Sequence, residues 1–309
     1  IVSILKYHWM IEFNEKLVLL VKVSYMQNTT CYICSCTDFL TREGAVRDDP
    51  SLKILECSKC GLVMLDSFQH ISSGHYADSG MHGSSPLSVE SWLKQTENDD
   101  QRRFEMLKTS MTNCRLLDFG CGAAGFLRKA QSMNAKVAGV EPEHRVHEYW
   151  GDKISLFNCL KDAGEGYDLI TAFHVIEHLP DPRAMLKELA VCLKNGGRMV
   201  IEVPSSEDAL LTLYKNEAFQ HFSYWSQHLY LFSNETLRRL AEQAELRVVS
   251  IQQFQRYPLS NHLYWLSCGQ PGGHEIWSFI DTPELTEAYR ASLAALGKCD
   301  TIIAHLESK

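Results

Sequence analysis

The stretch Leu116-Leu117-Asp118-Phe119-Gly120-Cys121-Gly122-Ala123-Ala124-Gly125-Phe126-Leu127 constrains this chain more than any other. An apolar run, 115–120, ends at glycine, and a helix-compatible segment, 125–133, follows at once. That order reads as a buried strand, a tight turn and a helix, the first unit of a parallel sheet. Glycines at such a turn let the backbone approach a ligand at a helix N-terminus.

The rest of the middle of the chain repeats the alternation. Strands are expected at 136–141, 154–159, 167–175 and 198–203. A helix is expected from Pro182, capped by Asp181 and stopped at Asn195-Gly196-Gly197. Another follows Ser233. The fold class is therefore α/β, a doubly wound, mainly parallel, Rossmann-like sheet. Ligands of such sheets bind at the carboxyl ends of the strands. Segments 246–256 and 261–268 are expected to be the last antiparallel pair, and 282–308 an amphipathic terminal helix.

The glycine loop has two readings. Gly120-x-Gly122-x-x-Gly125 suits a dinucleotide, and Asp118-x-Gly120-x-Gly122 suits S-adenosylmethionine (SAM). Both use an acid near the end of the second strand to hold ribose hydroxyls, and Glu141, 21 residues after Gly120, satisfies either. Asp118 decides between them. A carboxylate at the mouth of the first strand repels a pyrophosphate and attracts the ammonium of SAM.

With Asp118, Glu141 and the Glu177-His178-Leu179-Pro180-Asp181-Pro182 turn, the chain resembles class I SAM-dependent methyltransferases over roughly residues 100–250. That resemblance implies a seven-stranded sheet. It implies that Gly120, Cys121 and Gly122 pass under the methionine, that Asp118 orients its amino group and that Glu141 holds both ribose hydroxyls. Asn158 to Leu160 are then expected beside the adenine, Phe173 and His174 near the sulfonium, and Arg102 or Arg103 at the carboxylate. Many relatives have glycine at the position of Ala124, whose methyl is expected to tighten the loop.

Acceptor chemistry is expected after the fourth and fifth strands. His178 is the first candidate for base or acceptor contact, with a structural histidine in the turn as the alternative; Glu177 is structural or shares a metal with it. His221, Tyr224, Trp225 and His228 offer an aromatic, hydrogen-bonding surface in an insert at 205–232, against the alternative of a packed cover over the sheet. His178, His221 and Tyr224 are the catalytic candidates.

Ahead of this domain, Cys31, Cys34, Cys57 and Cys60 form two Cys-x-x-Cys pairs separated by 22 residues, with Cys36 as a substitute for Cys34. Four thiolates at such spacing read as a closed, structural zinc site; iron in the same cage, or metal-free thiols, are the alternatives. The module at 31–64 before such a domain resembles methyltransferases found among sugar and surface-polysaccharide enzymes. Eleven cysteines spread over 309 residues fit a reducing, cytosolic compartment better than a disulfide scaffold.

The remaining divisions are a dispensable tail at 1–30, with Met26 as the start of the organised chain, and a lid loop and leading helix at 65–110. A core follows at 111–270, and a helical segment at 271–309. His70, His75 and His82 in the lid are spaced too irregularly for a metal site. The segment 1–26 has no apolar run long enough to span a membrane. The formal charge of −8 and the lack of a basic run argue against nucleic acid.

The expected function is methyl transfer from SAM to a small-molecule acceptor, a sugar or sugar-containing metabolite, at oxygen. The alternatives are an RNA methyltransferase gripping RNA with the cysteine module, an NAD-dependent oxidoreductase and a non-catalytic SAM-binding protein.

Overall fold

A computed structural model describes residues 29–71 and 87–309. The expectations for 1–28, including Met26, and for His75 and His82 lie outside the described residues.

Three short strands, β1 (Phe39–Thr41), β2 (Ile54–Cys57) and β3 (Val63–Leu65), form an antiparallel meander at the front. Helix α1 (Val89–Met111) follows, capped by Ser88, whose hydroxyl accepts from the Ser91 amide. Its inward face carries Val89, Leu93, Leu107 and Met111, and also the charged Asp100 and Arg103.

The main sheet then begins. Strand β4 (Arg115–Phe119) leads through the glycine loop into α2 (Gly125–Ala130). Strand β5 (Lys136–Val140) is followed by α3 (His144–Trp150), and β6 (Ser155–Phe157) by α4 (Leu160–Ala163). Strand β7 (Tyr167–Phe173) is followed by α5 (Pro182–Cys192), and β8 (Leu193–Pro204) by the insert. As expected, α5 has Asp181 at its cap, accepting from the Ala184 amide, and Pro182 in its first turn. The insert holds α6 (Ala209–Thr212), α7 (Glu217–Ser223) and β9 (Tyr230–Leu231), and a bridge between Ser205 and Phe232 closes its base. Helix α8 (Asn234–Gln243) opens with a capping box between Ser233 and Thr236. Strand β10 (Leu246–Phe254), helices α9 (Leu259–Cys268), α10 (Gly273–Ile276) and α11 (Pro283–Leu296), and β11 (Thr301–Ser308) complete the chain.

The seven-stranded sheet has the order β10-β11-β8-β7-β4-β5-β6. Five strands run parallel, and β11 is antiparallel to both neighbours. The expected fold class is thus the observed one. The order reverses between β4 and β7, so a ligand crevice opens at the carboxyl ends of those strands.

Three local expectations are corrected. Residues 261–268 are helix, not strand, because β10 pairs instead with β11, from Leu246↔Ser308 to Phe254↔Thr301. The end of the chain is therefore not helical: only 283–296 of it is, and β11 is an interior strand whose Ile302, Ala304 and Leu306 are fully buried. Strand β8 starts at Leu193, before Asn195-Gly196-Gly197. Leu193 already pairs with Tyr167, and the glycines fall at an irregularity in that ladder rather than at a helix stop.

The front meander is not a separate body. Strand β9 of the insert pairs antiparallel with β3, making a four-stranded sheet of order β1-β2-β3-β9. One apolar core runs from Cys31, Ile54 and Leu62 through Tyr230 and Phe232 to Leu117, Ile170 and Ile302.

Candidate active site

The glycine loop answers its own ambiguity. Gly120 and Gly122 have φ of 70° and 52°, a region that favours glycine, and a Cβ on Gly120 would lie 2.4 Å from Val175. The amides of Gly120 and Cys121 both donate to the Val140 carbonyl, and the Gly122 amide donates to Glu141 Oε2 at 2.9 Å. These three N–H groups are already taken by the protein, which leaves none of them for a pyrophosphate. Three acids also surround the loop: Asp118, Glu141 and Asp100, whose carboxylate presses against Gly125. An anion has no welcome here, and a cation does.

Asp118 ends β4 deep in the sheet. Burial pushes its carboxyl up to about 7, against a hydrogen bond from the Thr171 hydroxyl at 2.7 Å on β7. Glu141 follows β5. Burial likewise raises it to about 7, although the amides of Glu143 and Gly122 donate to its two oxygens. Two carboxyls held this high beside a positive-φ loop suit a ligand carrying an ammonium and a ribose diol. The residues present fit SAM.

The other expected cofactor residues have these surroundings. Cys121 is turned inward, and burial raises its thiol well above the ordinary value. Asn158 is exposed, whereas Leu160 is buried in the core. Phe173 packs edge-on against Phe126 under the Arg103 guanidinium. His174 sits at φ 55°, its ring between Glu177 (3.3 Å) and Glu202 (3.2 Å). Burial works against protonating that ring, but hydrogen bonds to the two carboxylates prevail and raise its pKa.

Arg102 and Arg103 do not extend into the crevice. Both donate to Glu202, at 2.7 and 2.8 Å, and Arg102 also bonds Asp99. Arg256, after β10, pairs with Asp99 and meets His174 Nε2 at 3.3 Å. Burial opposes ionisation of Glu202, yet Arg103, His174 and Arg102 hold its carboxyl well below the usual range. A single charged residue in an apolar strand, Glu202 in Val-Ile-Glu-Val, was the signal for this buried network, and its partners are distant in sequence.

On the acceptor side, His178 occupies the turn after β7. Its Nδ1 lies 2.7 Å from the Gln227 carbonyl, which can only accept, so Nδ1 carries the proton. Burial lowers its pKa, leaving it neutral. Ligand atoms of Glu177, His178 and His228 lie within 4.8 Å of one another. Burial and the neighbouring His178 push His228 down to about 3. Burial disfavours the charge on Glu177, but His174 and His178 keep its pKa below the ordinary value. Trp225 packs edge-on against both His178 and His228.

The other two catalytic candidates do not join this cluster. His221 is exposed on α7. Tyr224 is buried against Gly44 of the front module, and burial raises its phenol pKa. With Trp225, His228 and Leu231 it walls a small apolar cleft whose other side is Ile54, Val63, Met64 and Leu65.

The four cysteines converge. Their sulfurs lie within 4.8 Å of one another, Cys31–Cys60 at 3.4 Å and Cys34–Cys57 at 3.5 Å. Zn–S bonds of about 2.3 Å in a tetrahedron set sulfurs about 3.8 Å apart, so the donor set fits. Both pairs form the same turn: the amide of Ser35 donates to the Cys31 carbonyl, and that of Gly61 to the Cys57 carbonyl, each from a positive φ. Cys36 lies outside the quartet, against Asp38.

Comparison with known proteins agrees with the loop chemistry. The chain is similar to the ubiquinone biosynthesis O-methyltransferase of Bradyrhizobium sp. (strain ORS 278), 33% identical over 114 residues, 32% of this chain and 45% of that protein. It is also similar to the protein of that name from Idiomarina loihiensis, 26% identical over 155 residues, 44% and 63%. The chain thus spans about half the length of these curated relatives. Similar solved structures include a SAM-dependent methyltransferase from Archaeoglobus fulgidus, at 18% identity and a TM-score of 0.49, covering 70% of this chain and 99% of that one. Another is the Burkholderia thailandensis 1,6-didemethyltoxoflavin-N1-methyltransferase, at 13% identity and a TM-score of 0.48, covering 86% and 100%. Residues 89–251 match the family described as methyltransferase domain, and this chain, with its class I sheet and acid-flanked glycine loop, belongs to that family.

Proposed function

We propose that this chain transfers a methyl group from SAM to a hydroxyl of a small-molecule acceptor. The observation that carries the reading is the pair of buried carboxyls, Asp118 and Glu141, beside a glycine loop whose amides are taken by the protein. When bound, SAM supplies a methyl already activated on a sulfonium, so the protein chiefly has to align the acceptor with the S–CH3 bond. Asp118 takes the ammonium and Glu141 the ribose hydroxyls. His178, neutral and held in one tautomer by the Gln227 carbonyl, accepts the acceptor's hydroxyl proton. Glu177, in contact with the rings of His174 and His178, balances the imidazolium that forms.

Acceptor oxygen is supported by the O-methyltransferase names of the relatives. A sugar or sugar-containing metabolite is the acceptor class drawn from the four-cysteine front. An aromatic, apolar acceptor is the second reading, favoured by relatives named for ubiquinone biosynthesis. The loop amides, already taken by the protein, weigh against NAD, and the net charge against RNA.

The test is calorimetric titration of native protein and Glu141→Ala with SAM, S-adenosylhomocysteine and NAD, followed by an acceptor screen of nucleotide sugars and phenols. SAM or S-adenosylhomocysteine binding that weakens in the variant supports the reading. NAD binding without SAM binding overturns it.

A further inference from the structure

The front module grips one particular part of the enzyme. Arg47 donates to the Phe222 carbonyl at 3.0 Å, and its guanidinium lies 4.6 Å from the Trp225 ring centre. The Arg47 amide donates to the Tyr224 carbonyl at 2.9 Å. Asp48 accepts from both the amide (3.0 Å) and the hydroxyl (2.7 Å) of Ser226, and His70 Nε2 meets the Ser226 carbonyl at 2.7 Å. The Leu65 amide donates to the Leu229 carbonyl, and β3 pairs with β9 through Val63↔Leu231 and Met64↔Tyr230. The segment so held contains Gln227, whose carbonyl orients His178, and His228.

The four cysteines flank Arg47 and Asp48 and lie just ahead of β3. Cys57 ends β2, and Cys60 lies three residues before β3. Tyr32, inside the first cysteine pair, bonds Asp181 and accepts from the Arg183 amide at 3.0 Å, just beyond His178. The cofactor loop, in contrast, is braced by α1 and β5, through Trp92 against Gly122, Asp100 against Gly125 and Val140 beneath Gly120. Among the described residues, no hydrogen bond or ion pair joins 29–71 to 116–125 or to Glu141.

We propose that the metal held by Cys31, Cys34, Cys57 and Cys60 is the device that fixes the acceptor wall, Tyr224 to Leu231, with Arg47 and Asp48 as its positioning residues, and that cofactor binding does not depend on it. The physical reason is size. A segment of some forty residues buries too little surface to order its own loops, so binding of the metal supplies the ordering free energy. Without the metal, the strands and loop that reach 222–231 lose their anchor, while the cluster of Leu116, Phe126, Leu127 and Val146 behind the glycine loop, which no residue of 29–71 enters, is retained. This inference rests on the methyltransferase reading for what the wall does, and its test is separate from that reading.

The experiment is hydrogen-exchange mass spectrometry with S-adenosylhomocysteine titration on the full chain. It compares the protein with about one equivalent of zinc, the same protein after chelation, and the chelated protein resupplied with zinc. Exchange at 222–233 should accelerate by about tenfold or more on chelation and recover with zinc, with 116–125 and 136–143 unchanged. S-adenosylhomocysteine affinity should stay within about threefold. In zinc-loaded Asp48→Ala, exchange should rise at 222–228 with metal content unaltered. The proposal is overturned if 222–233 is unaffected by chelation or by Asp48→Ala, if the glycine loop and ligand binding are lost together with the metal, or if the purified chain holds no metal and takes up none. Failure of the zinc-loaded protein to bind S-adenosylhomocysteine instead counts against the methyltransferase reading and leaves the exchange comparison interpretable.

Discussion

Burial penalises the charge on Asp118 and Glu141 and pushes both carboxyls up to about 7, above the usual carboxylate range. An ammonium and a ribose diol favour the ionised forms. Cofactor affinity should therefore be full above about pH 7 and fall as pH drops below it, by up to about tenfold per unit for each proton that binding must displace. Calorimetry at pH 6 and 8, in buffers of different ionisation enthalpy, reads both the slope and the proton release; a pH-independent affinity contradicts this. The same raised values act on folding with the opposite sign. These two groups add stability below the unfolded-chain values and lose it as pH rises toward about 7. If Glu141 holds the ribose hydroxyls as proposed, Glu141→Ala should weaken S-adenosylhomocysteine binding by about 1.5–3 kcal/mol, roughly 10- to 100-fold. Glu202→Ala strands Arg102, Arg103 and His174 in the interior and should cost about 3–5 kcal/mol in urea unfolding. Ala124 lies at φ 59° in the loop, so its methyl does carry strain. Ala124→Gly should raise stability by up to about 1 kcal/mol, measured by thermal unfolding.

At the scale of elements, the residues with a two-sided apolar environment read well from their pattern. Strands β4, β5 and β7 are apolar runs bounded by turns, and their limits differ from expectation by at most two residues. Caps also read well, since Asp181-Pro182 and Ser233 satisfy local N–H groups whatever the tertiary fold. The last strand did not. Gly297, at φ 67°, ends the preceding helix, a local stop that the expected helix overran, and pairing with β8 and β10 makes Thr301–Ser308 a strand. Removal of residues 297–309 should therefore abolish cooperative unfolding, because it opens both neighbouring ladders. The milder Ile302→Ala should cost about 2–5 kcal/mol, seen as a lower denaturation midpoint in urea.

Across the whole molecule, the front module and the insert make one sheet, and that sheet sits beside His178 and His228. The chemistry of each half could be read separately. Two matched Cys-x-x-Cys pairs announce a metal, because four thiolates at that spacing have few other uses. An acid, a glycine turn and a second acid at the next strand announce a cofactor with a cation and a diol. Both signals are local: residues a few positions apart, or one strand–helix unit apart, are brought together by short-range geometry. What only the tertiary structure decided is where these pieces meet. Asp48 and Ser226 are 178 positions apart, and Arg102 and Glu202 are 100 apart. No periodicity couples such pairs, so the contact of the front module with 222–231, the buried charge network around Glu202 and the strand pairing of 301–308 came from packing. The sequence alone determined that the chain makes a parallel sheet with an acid-flanked glycine loop and two matched cysteine pairs; the packing of the cysteine module against 222–231 follows from burial of a shared core, a property of the folded chain as a whole.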